Sequence, residues 1–248
     1  MTAPVFVVDG PVPDARPYVL DGPEGRHAVS VKRLRAGERV VLTDGLGAWC
    51  EGVVTGSEGK DRLLVDAGAL RTEPAERPRI TVVQALPKGD RGELAVETMT
   101  ETGVDAIVPW AASRCITQWR GERGLKALGK WRATAREAGK QSRRVRFPEV
   151  AEAASTKEVA ALLAGADLAV VLHEDRDHAG AALASVDLPA TGGIVLVVGP
   201  EGGVSPEELT AFAAAGALTC RLGRSVLRTS TAGTAAAALL LGRTGRWG

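Results

Sequence analysis

From residue 79 onward the chain alternates short apolar runs with amphipathic stretches, and this alternation restricts the fold more than any other feature. Residues 80–86, 106–110, 168–172, 194–198 and 217–222 are apolar runs of strand length. Between them, residues 89–102 place Leu94, Ala95, Thr98, Met99 and Thr102 on one helical face, and residues 123–142 and 156–164 also have helical patterns. Strands that alternate with helices imply a largely parallel sheet covered by helices, and such sheets bind ligands beyond the carboxyl ends of their strands. The loops after the apolar runs are therefore where chemistry is to be sought.

Two of these loops stand out. Gly199-Pro-Glu-Gly-Gly-Val-Ser-Pro-Glu-Glu208 follows the run 194–198, and its glycines let backbone approach a ligand closely. It ends in a helix-start signal: Ser205 caps, Pro206 suits the first helical position, and Glu208 completes a capping box. Leu222-Gly-Arg-Ser-Val-Leu-Arg-Thr-Ser-Thr-Ala232 follows the run 217–222 and leads into an Ala- and Leu-rich stretch. A third loop, His173-Glu-Asp-Arg-Asp-His178, follows the run 168–172. Its histidines are five apart, not four, so it is taken as a polar strand-end loop and no metal is expected. Neither G-x-G-x-x-G, nor G-x-x-x-x-G-K-[ST], nor G-x-S-x-G occurs, which sets aside a Rossmann cofactor site, a P-loop and a nucleophile elbow.

The first 70 residues differ. Short β-rich runs at 5–8, 39–43, 49–55 and 63–66 alternate with Gly and Asp turns, and Asp44-Gly45 punctuates two of them as a hairpin does. These features predict a small β-barrel or sandwich. The charged, proline-bearing stretch 71–78 is the linker candidate, which gives domains at 1–73 and 79–248.

A net charge of +1 conceals a local excess: residues 114–149 hold eleven Lys or Arg against three Glu. Clustered cations of this kind form an electrostatic footprint for a polyanion such as nucleic acid. Lys140, Gln141 and Arg143, with Lys88 after the first strand of the second domain, are the candidate contacts. Cys50, Cys115 and Cys220 are too few and too widely spaced for a disulfide framework or zinc site and are expected to be packed thiols. No apolar run is long enough to span a bilayer and the first residues carry no signal pattern, so the expected compartment is the cytoplasm.

Several segments in order, Gln84-Ala-Leu-Pro-Lys-Gly-Asp90, Glu101-Thr-Gly-Val-Asp-Ala-Ile-Val-Pro109, Glu137-Ala-Gly-Lys-Gln-Ser-Arg143, Val198-Gly-Pro-Glu-Gly-Gly203 and 222–232, resemble the RsmE family. The resemblance covers essentially the whole chain. It implies a SPOUT α/β methyltransferase domain with a C-terminal trefoil knot, a homodimer, and S-adenosylmethionine-dependent methylation of N3 of a uridine in small-subunit (16S) ribosomal RNA. His27-Ala-Val-Ser-Val-Lys-Arg-Leu34 with Gly37-Glu38 resembles the family's PUA-like RNA-binding barrel, which adds Lys32 and Arg33 to the RNA contacts. By position, the resemblance implies a cofactor site made of Leu172, His173, Gly199, Pro200, Glu201, Gly202, Gly203, Leu222, Gly223, Val226 and Leu227. The alternatives are a SPOUT enzyme with another target, such as a ribose 2′-hydroxyl, and a non-catalytic RNA-binding ribosome assembly factor.

Uridine N3 carries a proton at neutral pH, so a base must accept it or a cation must stabilise the anion that spreads onto O2 and O4. Arg228 is the candidate for the cationic role. The family commonly carries Glu where this chain has Ser230, which leaves Glu201 as the carboxylate candidate for a base.

Overall fold

A computed structural model describes residues 3–174 and 180–248. They divide into two compact units. The first comprises residues 1–75 with 136–147, and the second residues 76–135 with 148–248.

The first unit is built from β1 (Val5–Val7), β2 (Pro17–Leu20), α1 (Gly22–Arg26) with a π-helical turn over His27–Val31, β3 (Arg39–Thr43), β4 (Ala48–Glu58), β5 (Arg62–Ala67) and β6 (Arg71–Thr72). One sheet runs in the order β1-β3-β4-β5-β2, with β6 on β4. The expected hairpin joins β3 to β4, which pair antiparallel from Arg39↔Val53 to Thr43↔Trp49. Asp44 fixes the turn: its Oδ1 accepts the N–H groups of Leu46 at 2.7 Å and Ala48 at 3.1 Å. The alternating inward residues, among them Phe6, Leu20, Val40, Leu42, Leu63 and Val65, form this unit's core.

The segment 136–147 returns to this hairpin. Val145 O accepts from the Thr43 hydroxyl at 2.9 Å and from Gly47 N–H at 3.1 Å, while Phe147 N–H donates to Gly45 O at 2.8 Å. A Cβ on Gly45 would lie 2.8 Å from the Phe147 ring, so glycine is needed there for contact as well as for its φ of +75°.

Lys140 belongs to this returning segment and is not a surface cation. Its side chain is 4% exposed and its Nζ is held by Glu24 at 2.8 Å and Glu137 at 2.9 Å; Arg136 reaches the same Glu24 oxygen at 3.3 Å. The expected RNA contact is therefore corrected to a buried ion pair, because an ammonium removed from water is retained only when carboxylates replace its hydration.

The second unit follows the alternating pattern: β7 (Arg79–Ala85), α2 (Arg91–Thr102), β8 (Ala106–Trp110), α3 (Gly121–Gln141, whose last residues belong to the first unit), β9 (Glu149–Val150), α4 (Thr156–Ala164), β10 (Leu168–Leu172), β11 (Ala181–Ala182), β12 (Gly193–Val198), α5 (Pro206–Ala214), β13 (Leu218–Arg221) and α6 (Thr229–Arg243). Its seven strands are ordered β11-β13-β10-β12-β7-β8-β9, and every neighbouring pair is parallel. The central strands are buried on both faces, as their near-continuous Val, Ile and Leu runs require. At the end of the chain, Arg246 is fixed by Asp105 at 2.6 Å and by Glu76. Burial opposes its charge, but the two carboxylates outweigh it and hold the guanidinium above its ordinary pKa. Among the described residues no helix is long and apolar enough to cross a membrane.

Lys140→Met is expected to lower unfolding free energy in urea by about 2 kcal/mol, because it leaves Glu24 with Arg136 as its remaining cation, and Glu24→Gln in the same chain is expected to recover part of the loss. Burial pushes the thiols of Cys50, Cys115 and Cys220 above the ordinary range, so at pH 8 they hold less thiolate than free cysteine. The folded protein should resist Ellman's reagent at that pH, with all three thiols reacting in denaturant.

Candidate active site

Because the strands of the second unit are parallel, the loops that leave β10, β12 and β13 emerge on one side. Register sets them level: Val171 lies opposite Val197, and Leu172 opposite Cys220. Together the three loops enclose a pocket of about 310 Å³, lined by residues 172–174, 198–201, 203–204, 221–229 and 232, with Arg91 from the start of α2. That volume lies in the range of small-molecule sites.

The β12 loop is shaped by its glycines and by the helix that follows. Gly203 N–H closes a turn onto Pro200 O at 2.9 Å, with Gly203 at φ +73°. A Cβ on Gly199 would come within 2.8 Å of the buried Val204 side chain. One on Gly202 would press on Arg114 at 3.2–3.3 Å, and the Arg114 guanidinium donates to Gly202 O at 3.1 Å. The capping box of α5 forms as the sequence suggests: Glu208 N–H donates to Ser205 Oγ at 3.3 Å and Ser205 N–H to the Glu208 carboxylate at 3.0 Å. The buried Glu208 also accepts from Ser113 N–H at 2.8 Å and from the Thr156 hydroxyl at 3.1 Å, so one carboxylate ties the start of α5 to the β8 loop and to α4. Glu201 Oε1 accepts Lys88 N–H at 3.2 Å, which links the loops after β12 and β7.

Arg228 lines the pocket and is the N-cap residue of α6; its carbonyl accepts the N–H groups of Thr231 and Ala232, both at 2.9 Å. The guanidinium groups of Arg91, Arg221, Arg224 and Arg228 make no ion pair or hydrogen bond among the described residues. All four arginines line the pocket, and among the described residues its carboxylates are Glu174 and Glu201. Unneutralised guanidiniums around a concave wall favour anionic groups, such as a carboxylate or the phosphates of a nucleic acid. Ser230 is buried and does not line the pocket.

Leu172, His173, Gly199, Pro200, Glu201, Gly203, Leu222, Gly223, Val226 and Leu227 all line the pocket, whereas Gly202 packs on Arg114 instead. Lys32, Arg33, Gln141 and Arg143 are exposed on the first unit and Lys88 on the second. Arg33 and Arg143 have φ values of +56° and +63°, an uncommon backbone state for arginine. The strand-end loop from His173 to His178 runs into residues 175–179, outside the described residues. Arg224 and Ser225 fall inside the expected loop 222–227, whereas sequence reasoning missed Arg91, Glu174, Val204, Arg221, Thr229 and Ala232 as pocket residues. The signal for Arg91 was present, since it ends the basic loop that begins at Lys88.

Residues 74–241 match the RNA methyltransferase domain family and residues 20–67 the RNA methyltransferase PUA domain family. A ribosomal RNA small subunit methyltransferase E from Mycobacterium bovis is 44% identical over 253 residues, covering 100% of this chain and 94% of the relative. The chain belongs to this family. The family protein from Bacillus subtilis is 29% identical, over 89% of this chain and 88% of its own. Among solved structures, a family member from Neisseria gonorrhoeae bound to S-adenosyl methionine superposes with a TM-score of 0.84 at 28% identity, covering 98% of each chain. A methyltransferase from Legionella pneumophila in complex with the same cofactor gives 0.85 at 26% identity, again with 98% of each chain covered.

The glycine geometry of the pocket loops after β12 and β13 gives a direct test. Gly203→Ala puts a Cβ on a left-handed residue and is expected to cost about 1 kcal/mol of stability in urea titration. Gly223→Ala, whose Cβ would meet nothing within 4 Å, should leave stability unchanged.

Proposed function

We propose that this chain methylates N3 of a uridine in small-subunit ribosomal RNA, with S-adenosylmethionine held in the pocket beyond β10, β12 and β13. The observation that carries the reading is the convergence of three parallel strand ends on one pocket in a chain of this family. The lining fits the cofactor. Leu172, Val198, Leu222, Val226 and Leu227 offer apolar walls for a base and a thioether chain, and the backbone at Gly199, Gly203 and Gly223 can approach polar edges. When bound, the cofactor supplies an electrophilic methyl group on a sulfonium.

The chain's own residues then have three tasks. Leu172 with His173, the loop 199–203 and the loop 222–227 orient the cofactor so that attack is in line, the chief source of acceleration for such a transfer. Arg228 stabilises the uridine anion as the N3 proton passes to solvent water, since it lines the pocket and its guanidinium makes no ion pair among the described residues. Lys32, Arg33, Gln141 and Arg143 of the first unit and Lys88 of the second hold RNA phosphates, with the first unit acting as a PUA-like RNA-binding module. Glu201 is committed to Lys88 N–H, which supports a loop-tethering role over that of a base.

The strand order supports the trefoil knot that the family resemblance implies: β13 inserts between β10 and the earlier β11, while β12 lies on the other side of β10. A homodimer would cover Val226 and Leu227, apolar pocket-rim residues that are 70% and 40% exposed.

Arg228→Ala is expected to slow single-turnover methylation of ribosomal substrate by about 100-fold while the affinity for S-adenosylmethionine stays within about twofold. Full single-turnover rate in this variant would remove Arg228 from the chemistry.

A further inference from the structure

Gln84 is an anomaly in the core. It lies near the carboxyl end of β7, fully buried in a strand whose neighbours Ile80, Val82, Val83 and Ala85 are apolar. A polar side chain in such a place is destabilising unless it is hydrogen-bonded, and Gln84 is only half satisfied. Its Nε2 donates to Ala85 O at 3.0 Å and Thr229 O at 3.3 Å, while its Oε1 is buried with no donor among the described residues. The amide orientation follows from chemistry: both near neighbours are carbonyl oxygens, so the nitrogen must face them.

Thr229 is the first residue of α6 and lines the pocket, directly after Arg228. The helices α4 and α5 begin with serine capping boxes, but Arg228 gives α6 no side-chain cap. The Gln84 amide does not replace a cap, which would accept from backbone N–H groups; it ties the Thr229 carbonyl of the first turn to β7, beside the Thr231 hydroxyl, which donates to Arg228 O at 3.2 Å. The fit is close on the helix side as well. A Cβ on Gly233 would stand 3.5 Å from Gln84 Oε1 and 2.9 Å from Met99 Sδ.

We infer that Gln84 is a positioning residue: its buried amide fixes the start of α6 and thereby the direction in which Arg228 enters the pocket, at a cost to core stability. The inference rests on the reading of Arg228 given above.

Gln84→Leu keeps the side-chain size and removes the orphaned acceptor. The variant is expected to melt no lower than the parent and to bind S-adenosylmethionine within about twofold. Its kcat on ribosomal substrate should fall at least about tenfold with little change in KM, as expected when a transition-state contact is misaligned. Amide exchange at Thr231 and Ala232, whose N–H groups bond to Arg228 O, should accelerate. Gln84→Glu adds a readout that a purely structural residue would not give. Only the protonated carboxyl can donate to Thr229 O, so activity relative to the parent should be higher at pH 6 than at pH 8.5. Unchanged kcat and exchange in Gln84→Leu, or a parallel loss of melting temperature and cofactor affinity, overturns the inference. Failure of the parent itself to methylate RNA would instead refute the proposed function, and the exchange rates would still decide whether Gln84 holds α6.

Discussion

Parallel pairing at the centre of the second sheet is the constraint on which the site depends. With β12 bonded to β10 on one side and β7 on the other, all in the same direction, every strand delivers its next loop to the same edge of the sheet. Strands buried on both faces cannot slip in register without exposing apolar side chains, so the levels of Leu172, Val198 and Leu222 are set by the core. The loops need little regular structure of their own. Glycines at 199, 202 and 203 and the Glu208 carboxylate then hold the β12 loop against the loop after β8.

Polar groups are buried in this protein where they fix geometry. Glu208 meets three donors, Gln84 meets two carbonyls, and Lys140 meets two carboxylates. The opposite holds at the pocket, where Arg91, Arg221, Arg224 and Arg228 have no ion pair or hydrogen bond from their guanidiniums among the described residues. Arginines without internal partners keep their field for a ligand, whereas the paired lysine has none to offer.

The parts legible in the sequence are those written in local pattern. The apolar runs became β7, β8, β10, β12 and β13, Asp44-Gly45 became the β3–β4 turn, and Ser205 to Glu208 became a capped helix start. The two-residue strands β9 and β11 are too short to carry a period, and α1 with its π-helical turn has too little length for an apolar stripe. Ser155-Thr-Lys-Glu158 was a readable capping box. Lys140 could not be read: it sits in a basic run that looks solvated, and its partner Glu24 is 116 residues away. The packing of residues 136–147 with the first unit is hidden for the same reason, since Val145 and Phe147 find their partners at Thr43, Gly45 and Gly47. The cost of Gln84 likewise becomes visible only when α6 lies over it.

Methyl transfer to a uridine ring nitrogen is the chemical outcome that decides the proposed function. Mass analysis of ribosomal RNA nucleosides from cells with and without the gene measures it directly. N3-methyluridine in the small subunit should be present with the gene and absent without it. An unchanged level of N3-methyluridine, or the loss of a ribose-methylated nucleoside in its place, would contradict the assignment.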